Sequence, residues 1–310
     1  MNVIDDKSNN TWKISIISPI DFLPVLEEVL YAHSANDFPT LSDFEIMGDQ
    51  ENRLLEGYFN QKPDPDILQS AIENMAAILN KKPLKFTIEK LQNENWVAMS
   101  QKLLKPVEAG RFFVCGDHDK EKIPKNKISI IIEAGQAFGT GSHETTNGCL
   151  LAISDLYDQI KPNLVLDLGC GSGVLAIAMA KQWPIKTIAS DIDPIATETA
   201  FENIVLNNVP TIKADDDKPG IATITCDGFE NTILATISPY DVIVANILAA
   251  PLQKLAPDIV KNLNPDGWLI LSGLLDVHED AVMRAYQEQG LELVKTYPIN
   301  GWHTLVLKKA

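Results

Sequence analysis

The chain has 310 residues, 45% of them hydrophobic, and a formal net charge of -16. That is enough for one large or two medium domains with a real core, and no apolar run approaches the roughly 20 residues of a membrane span. So acidic a chain is not built to grip nucleic acid through its phosphates; it suits a solvated acidic surface, or a basic protein partner drawn by long-range field.

Met1 to Asn10 is polar and acidic, which argues against a secretory signal. Trp12–Ser18 alternates apolar and polar residues as a half-buried strand does. Asp21 is placed to cap an amphipathic helix running through Leu30. Phe44–Met47 and Leu54–Phe59 read as a strand pair across Gly48-Asp49-Gln50. Asp66 to Leu79 carries apolar residues at helical spacing, and Leu84–Ile88 is a last strand. The order βαββαβ is the ferredoxin-like α+β pattern, a fold that hosts many binding functions. Residues 93–105 form a linking helix closed by Pro106. Residues 1–92 thus make one small domain, and residues 106–310 a second.

The second domain alternates strands with helices. Strands are expected at Lys127–Ile132, Leu164–Leu168, Lys186–Ser190, Ile221–Thr225, Asp241–Ala245, Trp268–Ser272, Glu292–Tyr297 and Trp302–Leu307. This is a doubly wound α/β domain with a mainly parallel sheet, whose ligands sit outside the carboxyl ends of the strands. Cys115, Cys149, Cys170 and Cys226 lack Cys-x-x-Cys spacing. They point to neither a zinc site nor a disulfide framework, and they fit a reducing cytoplasm.

The most informative stretch is Leu164-Val-Leu-Asp167-Leu-Gly169-Cys-Gly171-Ser-Gly173. A strand runs into three alternate glycines and then directly into a helix. Glycines here let the chain turn sharply and let a ligand lie against bare backbone. A dinucleotide fingerprint needs Gly-x-Gly-x-x-Gly, whose third glycine would fall where this chain has Val174. The turn therefore suits a nucleoside without phosphates. One βα unit on, Asp191-Ile-Asp193-Pro194 ends a strand, about twenty residues beyond the turn, where a carboxylate can accept from both ribose hydroxyls. Asp191 is the nearer to the strand end, and Asp193 the better helix cap. Both can also be plain turn and cap residues.

Two further segments carry chemistry. Ala137-Phe-Gly-Thr-Gly-Ser-His143-Glu-Thr145-Thr146 leads into a helix over Thr145–Ile160. Either threonine can cap that helix. Two threonines, a histidine and a glycine pair exceed what a cap needs, so a ligand-contacting loop is the preferred reading; His143 alone is a weak signal. Asp241-Val-Ile-Val-Ala-Asn246-Ile-Leu-Ala-Ala-Pro-Leu ends a strand at Asn246, ahead of a helix beginning near Pro251. An asparagine carbonyl accepts an N–H from a neutral amine without carrying charge. A carboxylate there would hold an ammonium, which cannot attack. The alternative is an asparagine that satisfies turn backbone.

Together these motifs, with Gly267-Trp-Leu-Ile-Leu-Ser-Gly-Leu-Leu275, resemble the ribosomal protein L-11 methyltransferase family (PrmA) over most of residues 93–310. The glycine turn alone indicates a class I methyltransferase; Gly-Thr-Gly-x-His-x-Thr-Thr and Asn-Ile-Leu-Ala are more specific. One departure is Glu133-Ala134-Gly135, where Asp-Pro-Gly is usual. The resemblance implies a seven-stranded sheet with an antiparallel last strand and S-adenosylmethionine as cofactor; no metal is expected, since the sequence shows no ligand cluster. It implies methylation of ribosomal protein L-11 at lysine side chains, with its N-terminal amine a further candidate, and recognition of that protein by the small domain. Cofactor contacts carried over fall on Thr146, Gly169, Asp191 and Asn246. Asp167 and Gly171 join them from the turn itself, and Asn246 is the catalytic candidate. A methyltransferase for another protein or a small amine, and a non-catalytic nucleoside-binding module, are the competing readings.

Overall fold

The structure, a computed structural model, describes residues 11–32, 39–46, 49–91, 106–132 and 144–309. The linking-helix expectation for 93–105 lies outside these residues, as do the glycine pair and His143 of the 137–146 segment. The chain divides into two compact units, Met1–Trp96 and Val97–Ala310.

The first unit runs β1 (Thr11–Pro19), α1 (Leu23–Ala32), β2 (Thr40–Ile46), β3 (Asp49–Phe59), α2 (Pro65–Ile78) and β4 (Phe86–Leu91). Its sheet has the order β2-β3-β1-β4 with every pair antiparallel, the ferredoxin-like arrangement. Ile14, Ile16, Leu55 and Phe59 from the sheet pack on Leu26, Leu30, Leu68 and Ile72 from the helices. Asp64 caps α2, accepting from the Asp66 and Ile67 N–H groups. Asp21 does not cap α1. It sits inside a short 3-10 turn, Ile20–Phe22, and takes an ion pair with Lys81 at 2.5 Å instead.

In the second unit, β8 (Leu164–Leu168), β9 (Lys186–Asp191), β10 (Gly220–Thr225), β11 (Tyr240–Asn246), β12 (Leu263–Leu275), β13 (Leu291–Ile299) and β14 (Trp302–Lys309) form one seven-stranded sheet. Its order is β10-β9-β8-β11-β12-β14-β13, and β14 runs antiparallel to both neighbours. The helices are α3 (Glu144–Leu156), α4 (Val174–Gln182), α5 (Pro194–Leu206), α6 (Thr232–Ile237), α7 (Ala249–Lys261) and α8 (Glu279–Gln287). One core lies between the sheet and α3 to α5; a second lies under α7 and α8. Strands buried on both faces explain the unbroken apolar runs such as Val242–Ala245.

The expected strand at Lys127–Ile132 does not join that sheet. As β7 (Ile128–Ile131) it pairs with β6 (Phe112–Cys115), and β6 pairs with β5 (Val107–Ala109), in a separate three-stranded sheet. β5 and β6 are three and four residues long, too short to show a period in the sequence. Asn207 holds this sheet to α5: its side chain accepts the Ile131 N–H at 2.9 Å and donates to the Ile131 carbonyl at 2.6 Å.

Candidate active site

The glycine turn docks on the end of β9. The Gly169 and Cys170 N–H groups donate to the Ser190 carbonyl at 2.8 and 2.9 Å. Gly169, Gly171 and Gly173 all have left-handed backbone, with φ of 73°, 50° and 79°, a region that disfavours side chains. A Cβ on Gly169 would stand 2.4 Å from Cγ2 of Ile247. Glycine at 169 therefore lets the turn after Asn246 close against the turn after β8.

Helix α4 starts at once, and its cap Gly173 has no side chain to offer. Asp167 takes over that work. It is 1% exposed, and its Oδ2 accepts the Ala176 N–H at 2.9 Å, satisfying one of the donors a helix start leaves open. Its Oδ1 is buried with no hydrogen-bond partner among the described residues. Burial, reinforced by the nearby charge of Asp191, pushes the Asp167 carboxyl up to about 7. Cys170, also buried in the turn, has its thiol pushed well up by the same burial, so it is no nucleophile.

The two acids at the end of β9 separate cleanly. Asp193 is the cap of α5, accepting the Ile195 N–H at 2.9 Å. Asp191 faces the glycine turn: Oδ2 accepts the Gly171 N–H at 2.9 Å and Oδ1 the Asp193 N–H at 3.0 Å. Burial raises its carboxyl too. Each oxygen keeps a second lone pair for a ligand hydroxyl. Between the acids, Ile192 is 63% exposed. It is an apolar side chain on the strand-end loop.

Thr145 and Thr146 lie inside the first turn of α3, which begins at Glu144, and not at its cap. Thr146 is 1% exposed, and its Oγ1 has no partner among the described residues. Asn246 ends β11 and its Oδ1 is likewise buried and unpartnered. No described turn backbone group reaches that oxygen. Nor is it a helix cap, because α7 begins at Ala249, two residues ahead of Pro251, with Leu248 in the cap position.

Buried polar atoms are almost always paired. Here the Asp167 Oδ1 and Asn246 Oδ1 acceptors and the Thr146 and Ser190 hydroxyls, which can donate or accept, have no partner among the described residues and lie at or beside the carboxyl end of the parallel strands. Trp183 Nε1 and Thr187 Oγ1 are unpaired as well, but they sit at the amino-terminal end of β9. An acceptor-rich site with two carboxylates and bare glycine backbone fits a ligand rich in N–H and O–H donors and positive charge. S-adenosylmethionine, with ribose hydroxyls, an ammonium and a sulfonium, has that chemistry. Among the described residues no group of three or more His, Cys, Asp or Glu is placed to hold a metal.

The family model described as Ribosomal protein L11 methyltransferase (PrmA) matches residues 27–310. The chain belongs to this family. It is accordingly an S-adenosylmethionine-dependent methyltransferase of class I fold. Among its relatives, the Ribosomal protein L11 methyltransferase of Brucella melitensis biotype 2 is 44% identical over 260 residues, covering 84% of this chain and 87% of that protein. The protein of the same description from Agrobacterium fabrum is 46% identical over 221 residues, covering 71% and 73%. Among solved structures, a ribosomal protein L11 methylase from Lactobacillus delbrueckii subsp. bulgaricus aligns with a TM-score of 0.56 at 29% identity. It covers 66% of this chain and 99% of that one.

Proposed function

We propose that this methyltransferase modifies amino groups of ribosomal protein L11, lysine side chains and the N-terminal amine, with Asn246 orienting the amine. Family membership supports the substrate. The observation that carries the site reading is the set of buried polar atoms on Thr146, Asp167 and Asn246 that have no partner among the described residues, beside the glycine turn. S-adenosylmethionine, when bound, supplies the methyl group on a sulfonium that leaves as a neutral thioether.

The chain's own residues then have separable tasks. Asp191 accepts from the ribose hydroxyls. Gly169 and Gly171 offer backbone without side chains. Thr146 and Asp167 present acceptors to the donor-rich remainder. Asn246 Oδ1 accepts an N–H from the incoming amine and directs its lone pair. The amine must arrive neutral. A free lysine has a pKa near ~10.4, and removal from water lowers it. An amide acceptor leaves that lowering intact. Holding the amine in line supplies roughly 7–11 kcal/mol of a bimolecular barrier, so no general base is assigned. The small domain of residues 1–92 is the proposed reader of the protein substrate, and the cytoplasm the proposed setting. No described helix is long and apolar enough to cross a membrane.

The direct test incubates the full chain with purified ribosomal protein L11 and S-adenosylmethionine and reads methylation by mass spectrometry of peptides. Methylated lysines or a methylated N-terminus support the assignment. Turnover on another protein or a small amine, with none on L11, overturns it.

A further inference from the structure

The segment Leu271-Ser272-Gly273-Leu274 belongs to the sequence pattern but has no task in the reaction described above. In the structure it forms a bulge. The β12–β14 register shifts between Leu271, opposite Leu305, and Leu274, opposite His303, so that Ser272 and Gly273 share the single partner Thr304. Such a bulge re-aims side chains beside active sites. Two contacts show what is re-aimed.

Gly273 has φ of 85°, and a Cβ there would stand 2.3 Å from the Ile247 carbonyl oxygen. Only glycine lets the bulge lie against the residue that follows Asn246. Ser272, fully buried, is the ladder neighbour of Asn246. Its hydroxyl meets Thr304 Oγ1 at 2.7 Å and reaches toward the Thr145 carbonyl at 3.4 Å and the His303 carbonyl at 3.3 Å. Thr304 in turn lies against α3: a Cβ on Gly148 would stand 2.2 Å from Thr304 Oγ1. One buried bulge thus contacts the turn carrying Asn246 on one side and the first turn of α3, which carries Thr146, on the other.

We propose that Ser272 and Thr304 are positioning residues, a hydroxyl pair that fixes Thr146 and Asn246 relative to each other. The inference rests on the site reading given under the proposed function. The two hydroxyls bond each other in either direction, and the Ser272 hydroxyl stands between the Thr145 carbonyl of the helix start and the His303 carbonyl of β14, so the pair bridges the two elements by polar contact as well as by packing. Gly148 is small because α3 must come this close to β14.

The test uses the full chain with S-adenosylmethionine and S-adenosylhomocysteine as calorimetric probes, and amide hydrogen exchange on the ligand-free protein. Thr304→Val keeps shape and loses the hydroxyl; Ser272→Ala removes the other half. Each should weaken both probes about tenfold, ~1.4 kcal/mol, and the double variant should cost little more than either single one. Exchange at Gly148 and Cys149, the first amides to bond back within α3, should speed up about fivefold, as local opening becomes easier. Thr304→Ser keeps the oxygen and should behave as the parent in both measurements, which a merely space-filling role would not produce. Gly148→Ala should mimic Thr304→Val. If Thr304→Val does not fold, Ser272→Ala alone decides.

Folded Thr304→Val or Ser272→Ala with affinities within twofold of the parent overturns the proposal. So does weakened binding with unchanged exchange, or a Thr304→Ser variant as poor as Thr304→Val. Thr146→Ala and Asn246→Ala serve as controls. If they leave cofactor affinity and turnover unchanged, the site reading itself fails. If they impair the protein while Ser272→Ala and Thr304→Val do not, only the positioning proposal falls.

Discussion

Asp167→Asn isolates the buried carboxylate beneath the glycine turn. The substitution removes the charge and keeps an oxygen for the Ala176 N–H. In the parent, burial raises this carboxyl from its ordinary 3.8 to about 7. Three pH units at ~1.36 kcal/mol each put the effect on the order of 4 kcal/mol. The sign follows from the folded value lying above the unfolded one. At low pH the group is protonated in both states, and its contribution to stability is fully present. Between about pH 4 and 7 the unfolded chain loses the proton first, so this contribution declines as pH rises and is gone above about 7.

The ligand-free parent should therefore lose stability across that window, and Asp167→Asn should lack this component. Urea unfolding of both proteins, at about pH 5 and about pH 8, should show the gap moving in the variant's favour by on the order of 2–3 kcal/mol. The slope is the discriminating quantity, because the new amide N–H costs about 1–3 kcal/mol of its own if it stays unpaired. A cationic ligand favours the ionised carboxyl. S-adenosylmethionine should thus bind the parent more tightly as pH rises through about 7, and the variant without that dependence. Parallel stability-versus-pH curves for the two proteins would refute the reasoning.

Asp191→Ala should weaken S-adenosylmethionine by tenfold or more, about 1.4 kcal/mol, because ribose hydroxyls, the Gly171 N–H and the Asp193 N–H all lose an acceptor; calorimetric affinity unchanged in a folded variant would remove Asp191 from the site. Asn246→Ala should slow methyl transfer more than it weakens cofactor binding, because the amine contact matters in the reacting complex. Asn246→Asp should be at least as damaging, and normal turnover of the Asp variant would end the neutral-acceptor argument. A chain beginning near Asn93 should still bind S-adenosylmethionine, since the glycine turn, Thr146, Asp191 and Asn246 all follow it. The same chain should lose methylation of intact L11, and full-length rates would refute the recognition role of the small domain.

What the sequence revealed follows from how local each feature is. The strand, glycine turn and helix from Leu164 to Gln182 lie within nineteen consecutive residues, and the backbone demands of the turn are written in the glycines themselves. The spacing to Asp191 is fixed by one βα unit, so it too was legible. The division between Asp191 and Asp193 was legible as well, because Asp193 stands directly before Pro194 in a capping place and Asp191 stands at the strand end. Asp167 reads in sequence as part of a ligand turn. Its bond to Ala176, nine residues on, adds a helix-capping task that spacing does not announce. The bulge at Ser272 and its partner Thr304 are thirty-two residues apart, and such a pair exists only once the antiparallel last strand has docked. Asp21 shows the converse. A capping residue in a capping place was drawn instead to Lys81, sixty residues away.

The chemistry and the topology of the site agree on one division. β8 pairs with β9 on one side and β11 on the other, so the chain leaves β8 in one direction and returns in the other, which is where doubly wound sheets hold their ligands. The β8 and β9 side carries Asp167 and Asp191; the β11 side carries the neutral amide of Asn246. On the proposed reading, the methyl donor is a cation and gains from carboxylates. The methyl acceptor must be an uncharged amine and gains from an acceptor without charge. A third carboxylate at 246 would be drawn into the same buried field that already lifts Asp167. Ionised by the lysine it meets, it would hold that lysine as an ammonium with no lone pair to give, a proton exchange that an amide cannot make. The amide accepts without taking up that charge. On that proposal, the difference between Asp and Asn at the ends of neighbouring strands is the difference between binding the donor and readying the acceptor.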